Sequence, residues 1–143
     1  MCLIRQTSFT SFMLIVLPPP RKLELTLNGK AKEKQSSKGG IYSIADGKTN
    51  GYHYWVKEDQ KQALWFDKVG SRWKIGSLGN LGSATGGMRG PKGKDSYPHE
   101  VKGYTFFDGE DWPVAEPKDV VFKVIGNVLI SNEFSGLILL IKY

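Results

Sequence analysis

Between Tyr52 and Gly90 the chain reads YHYWVKEDQKQALWFDKVGSRWKIGSLGNLGSATGGMRG, and no other stretch constrains the fold as strongly. Three of the four tryptophans, Trp55, Trp65 and Trp73, stand here on runs separated by short polar turns. A glycine-rich stretch without bulky aromatics follows at once. Tyr52–Lys57, Gln62–Asp67 and Arg72–Ile75 read as strands. Their links around Glu58-Asp59-Gln60 and Lys68-Val69-Gly70 are short enough for an up-down meander.

The flanking sequence extends the same pattern. Leu23–Leu27 alternates apolar and polar residues, the period of a half-buried strand, and Asn28-Gly29 then signals a turn. Lys30–Gly40 reads as a polar, mobile loop. Ile41–Ile44 opens the module proper, followed by Asp46-Gly47 and Asn50-Gly51, two dipeptides that favour the positive φ angles of tight hairpins. Met88 is expected on a short strand. Tyr104–Phe107 leads into the hairpin signal Asp108-Gly109, and Val120–Ile125 is a further strand. No helix longer than a turn or two is expected. Seventeen glycines and seven prolines suit short strands and turns rather than a helical bundle. The expected fold is all-β, a single compact antiparallel domain, sandwich or partly open barrel, of about seven to ten short strands.

The chain of 143 residues divides into a segment 1–20, a β-module 21–125 and an apolar C-terminal segment 126–143. Arg5 and the run Phe12–Leu17 resemble parts of a signal peptide. That run is six residues long and ends at Pro18-Pro19-Pro20 rather than at a small-residue cleavage site. Residues 1–20 are therefore expected to be an appendage isolated by the triproline. Val128–Ile130 and Leu137–Ile141 would supply buried closing strands, or form a tail foreign to the module. Cys2 is the only cysteine, which leaves no intramolecular disulfide and no thiolate metal site. Its isolation favours an intracellular location over a secreted one. No run is long enough to cross a membrane as a helix. The oligomeric state is not legible.

Period-2 parity assigns faces to the three central strands. Trp73 and Ile75 oppose Arg72 and Lys74, and the charged pair is taken to face water. Leu64 and Phe66 oppose Trp65 and Asp67. With Val56 placed inside, His53, Trp55 and Lys57 fall outside. The expected core is Tyr54, Val56, Leu64, Phe66, Trp73, Ile75, Phe106, Val120, Phe122 and Val124. The expected ligand face is His53, Trp55, Lys57, Trp65, Arg72 and Lys74, two indoles interleaved with cations. A register slip of one residue would exchange the two sets. Large aromatics on both faces of a strand also occur where a sheet is covered on both sides.

No reaction centre assembles from local motifs. Gly93-Lys94 is followed by Asp95 rather than Ser or Thr, and the position five before Gly93 is Met88 rather than glycine, so no phosphate-binding loop is expected. His53 and His99 are isolated from each other, and Asp108–Asp111 lacks a calcium-loop register. No serine stands in a nucleophile elbow, and Glu110 and Asp111 are adjacent in a turn. A non-enzymatic role is expected, with no catalytic residue, metal or cofactor.

Residues 21–94 carry fifteen Lys/Arg against six Asp/Glu, a balance of +9, while residues 95–143 balance at −4. Within the basic part, Arg89-Gly-Pro-Lys92-Gly-Lys94 forms a second candidate contact for phosphate or sulfate groups. Two functions follow. The first is recognition of carbohydrate or a protein or peptide ligand on the aromatic-basic face. The alternative is binding of an anionic polymer, nucleic acid or sulfated glycan, through the basic region with Arg89, Lys92 and Lys94.

Trp65-Phe66, Trp73-Lys-Ile-Gly76 and Leu81-Gly-Ser-Ala-Thr-Gly-Gly87 are followed by Pro98 and by Phe107-Asp-Gly-Glu-Asp-Trp112. In this order the chain resembles, over Leu23 to Ile125, a small β-rich module found in multidomain proteins of animals and protists. The resemblance implies a recognition or scaffold module and no catalytic residues. The chain departs from that pattern at Tyr104, where a tryptophan is expected, and in the basic run Gly90–Lys94.

Overall fold

The computed structural model describes residues 18–93, 96–126, 128–131 and 138–141. Cys2, Phe12–Leu17 and Lys94, all weighed above, lie outside these residues. The described chain forms β1 (Lys22–Leu27), α1 (Gly29–Gln35), β2 (Gly40–Thr49), β3 (Tyr52–Lys57), β4 (Gln62–Asp67), β5 (Arg72–Ser77), β6 (Met88–Arg89), β7 (Thr105–Phe106) and β8 (Val120–Val124). These eight strands make one sheet in the order β7-β6-β5-β4-β3-β2-β1-β8, with every pair antiparallel. The protein is all-β. β9 (Val128–Ser131) and β10 (Ile138–Ile141) pair with each other as a separate two-stranded sheet.

The sheet curls until its two ends meet. Tyr104, just before β7, packs against Phe122 of β8 with ring centroids 5.4 Å apart. Between the ends, inward residues fall into register row by row: Ile44↔Trp55, Trp55↔Leu64, Leu64↔Ile75, Ile75↔Met88 and Met88↔Phe106. Leu23, Leu25, Leu27, Ala31 of α1 and Tyr42 complete the core. An aromatic knot lies within it. Trp73 meets Phe66 edge-on at 5.3 Å and Trp55 at 5.9 Å, and Tyr52 lies 4.3 Å from Phe66.

Two backbone features bend the strands to this shape. Asn50 (φ 55) and Gly51 (φ 83) are both left-handed between the paired residues Thr49 and Tyr52, the geometry of a two-residue type I′ hairpin. Asp46-Gly47 instead sits inside β2, where the register with β3 shifts between Ile44 and Lys48 and Gly47 has φ 144. The Asp46-Gly47 turn signal is thus a β-bulge, with residues 45–47 set against residue 54 alone, and such an insertion adds local twist. Lys30–Gly40 is likewise no loop: it contains α1 and a 3-10 turn over Ser36–Lys38.

The parity expected of β3 is reversed. Trp55 is buried in the core, while Tyr54 and Val56 are only partly covered and stand outside the core cluster. The physical cause is that both alternate sets of YHYWVK are bulky, and its one charged residue, Lys57, shares Trp55's parity while its Nζ is held at the strand end by Ser37 O and Asp59. Pairing with β4 is recorded only at Trp55↔Leu64 and Val56↔Ala63, and beyond it Tyr52 packs against Phe66 and Trp73. The rest of the expected core is found. Leu64, Phe66, Trp73, Ile75, Phe106 and Val124 are buried in it, with Val120 and Phe122 packed against it. The triproline is not fully separate: Pro20 is among the most buried residues, and its carbonyl accepts a 2.8 Å hydrogen bond from Trp55 Nε1.

Candidate functional site

The outer face of β4, β5 and β6 carries Trp65 and Asp67, Arg72 and Lys74, and Arg89, with Trp65 opposite Lys74, Asp67 opposite Arg72 and Lys74 opposite Arg89. Part of this face is roofed. The glycine-rich segment returns across β5, where Gly87 N donates to Ile75 O at 3.0 Å and Trp65 Nε1 donates to Ser83 O at 2.9 Å. A Cβ on Gly76 would stand 2.8 Å from Gly86 Cα and 3.2 Å from the Trp65 ring. Glycine at both positions is what lets backbone lie directly on strand and indole. Trp65 is consequently fully buried, and the stacking surface expected of Trp55 and Trp65 does not exist: one is core and the other is under a lid.

The cations of the expected face divide. Lys74 is 5 % exposed and Asp67 3 %, so neither faces water as parity suggested. They form a loose pair, Nζ to Oδ2 3.9 Å, and Asp67 Oδ1 also accepts from Val69 N. Burial lowers the Lys74 pKa. Asp67 opposes the shift, and the charges of Arg89 and Arg72 reinforce it. Arg72 and Arg89 remain partly open. Burial first, then the Arg72 charge, lowers the Arg89 pKa. Its guanidinium carbon lies 3.9 Å over the Trp112 ring, and its buried Nε has no hydrogen-bond partner. Three cations on β5 and β6 therefore stand on one face with Asp67, which among the described residues pairs with Lys74 alone.

Loop 90–93 follows β6 along the edge of β5: Gly90 N bonds Trp73 O and Gly93 N bonds Ser71 O, and exposed Lys92 lines a shallow hollow with Trp73, Ser96 and Lys102. The sequence separates Arg72 and Lys74 from Arg89 and Lys92 as two candidate sites; the register joins Arg89 to the first pair, and Lys92 stands apart from it. The partner it missed is Trp112, for which no local signal existed. Phe107, at 5.4 Å from Trp112, adds a second aromatic to the same corner and is 38 % exposed.

His53 and Lys57 do not belong to this surface. His53 pairs with Lys48 across the β2–β3 ladder. Lys57 Nζ donates to Ser37 O at 2.7 Å and pairs with Asp59 at 3.4 Å, which ties the 3-10 turn to β3. Among the described residues no group of three or more His, Cys, Asp or Glu side chains is placed to hold a metal ion. No described helix is long and apolar enough to cross a membrane. Comparison with protein-family models, curated proteins and solved structures finds no match, so the site is read from its own geometry.

Proposed function

We propose that this protein is a non-catalytic recognition module for a polymer bearing spaced phosphate or sulfate groups, bound on the outer face of β4–β6. The observation that carries this reading is the charge imbalance of this face, where Arg72 and Arg89 both press on Lys74 and Asp67 pairs with Lys74 alone among the described residues. Arg72 and Arg89 make the contacts, and Lys92 extends them. Trp112, stacked on Arg89, holds that guanidinium in place and offers a ring edge to the ligand. Buried Lys74 contributes charge rather than contact. An anion seated there relieves the mutual repulsion of the three cations. Recognition of a neutral sugar by stacking has no comparable support, because Trp55 and Trp65 are both buried.

Affinity for heparin and for single-stranded DNA, titrated at several salt concentrations, tests the reading. Counterion release gives log K against log salt a slope of about −0.7 per neutralised phosphate on a single strand. The paired substitution Arg72→Gln with Arg89→Gln is expected to weaken binding by about tenfold or more and to flatten that slope. Flat, weak binding of both polyanions at low salt, or undiminished binding by a folded double variant, would overturn it. Heparin and DNA arms that differ tell which anion the spacing suits.

A further inference from the structure

The seam where the curled sheet fails to close is a second candidate site, built from none of the residues of the cationic face. β8 pairs with β1 along Leu23↔Val124 to Leu27↔Val120. The same register extends through Asn28 N to Asp119 O and Ile125 N to Lys22 O. Bonded pairs alternate along an antiparallel ladder, so Asp119, Val121, Lys123 and Ile125 direct their backbone groups to β1. Val120, Phe122 and Val124 direct theirs the other way, toward the seam. Among the described residues those outward groups have no hydrogen-bond partner.

Across the seam the other end of the sheet is finished off. Phe106 N bonds Pro113 O and Ala115 N bonds Tyr104 O, so residues 113–115 cover β7. Between this end and β8 lies a cleft of about 170 Å³, lined on one side by Val101, Lys102 and Tyr104 and on the other by Val120, Val121 and Phe122. Its floor is the Tyr104–Phe122 ring contact. The lip is apolar, with Val121 41 % and Val114 67 % exposed. Around it stand Lys102, Lys118 and Lys123, with Glu116 on its lining and Glu24 opposite Lys123 across the β1–β8 ladder. Lys102 and Lys123 are exposed, and neither has a carboxylate within ion-pair distance among the described residues, whereas Lys118 is matched by Glu116.

We propose that this seam accepts an extended peptide segment as an added strand on β8, with apolar side chains at alternate positions and carboxylates between them. An open ladder edge supplies main-chain hydrogen bonds to any extended chain, and pockets for alternate side chains supply selectivity. Inward positions enter the cleft over Phe122, Tyr104 and Ala115. Outward positions stand beside Val121 and Lys123 of β8 and near Lys102, where a carboxylate is favoured and a lysine repelled. Neither the cationic outer face nor its ligand is needed for this binding.

A synthetic heptapeptide of alternating valine and glutamate, titrated into the full chain and followed by amide NMR, is the test. The expected result is saturable shifts centred on β8, with hydrogen exchange slowed at Val120, Phe122 and Val124. A peptide N-methylated at alternate residues, which keeps its side chains and loses its donors, is expected to bind about tenfold more weakly or worse. Lys102→Glu with Lys123→Glu, both on exposed side chains, is expected to cost about tenfold. Equal affinity of the N-methylated peptide or of the charge-reversed variant overturns the proposal. So do shifts centred on Arg72 and Arg89, no shift at millimolar peptide, or protection of β8 without peptide in a chain that sediments as a dimer.

Discussion

Trp73 touches Phe66, Trp55 and Tyr52, and its indole N–H reaches Ser96 O at 3.0 Å, so one side chain holds both the aromatic knot and a loop. Trp73→Ala is expected to cost about 3–5 kcal/mol, the usual range for truncating a buried large aromatic. Chemical denaturation of the variant checks this. Trp55→Ala should fall in the same range, although parity alone placed Trp55 on a wet face. His99 offers a pH-dependent counterpart. Burial lowers its pKa from the ordinary 6.5, against the opposing charge of Glu100. Its contribution to stability is whole above 6.5 and is lost as pH falls through the window below it, because the unfolded chain takes up the proton first. The denaturation midpoint is therefore expected to drop between about pH 7.5 and about pH 5 more in the wild type than in His99→Gln, and equal drops would refute it.

The lid over Trp65 is an element-scale device that depends on two glycines lacking Cβ atoms at a backbone crossing. Gly76→Ala is expected to lift it, at about 1–3 kcal/mol for an overpacked contact, and to shift Trp65 emission to longer wavelength. The emission change should vanish in a Trp65→Phe background. The three meander strands were legible because their aromatic runs end at short polar turns. β4 and β5 faces were legible because Leu64, Phe66, Trp73 and Ile75 alternate cleanly with other residues. The facing of β3 was not, since YHYWVK is equally bulky on both sides. The burial of Asp67 and Lys74 was not legible either, because it depends on a roof contributed by residues 82–87. The helix at Gly29–Gln35 escaped notice in a lysine-rich stretch whose sole core residue is Ala31. Meeting points such as Arg89 with Trp112 follow from the fold's long-range register, to which sequence spacing gives no access.

From Pro20 to Val124 the described chain is a single sheet wound round one core, with Pro20, α1 and the segment following β5 all fastened to it. Such an arrangement leaves no obvious half that folds by itself. Unfolding of the described module is expected to be one transition, with far-UV circular dichroism and tryptophan emission tracing the same curve. Separated curves would show that the sheet opens in stages. The fastening is done by indoles: Trp55 bonds Pro20 O, Trp65 bonds Ser83 O and Trp73 bonds Ser96 O. Each is a latch with its own spectroscopic flag, because an indole proton exchanges with solvent only when its carbonyl lets go. Hydrogen exchange at those three protons would rank, in one unlabelled molecule, the order in which three separate loops come undone.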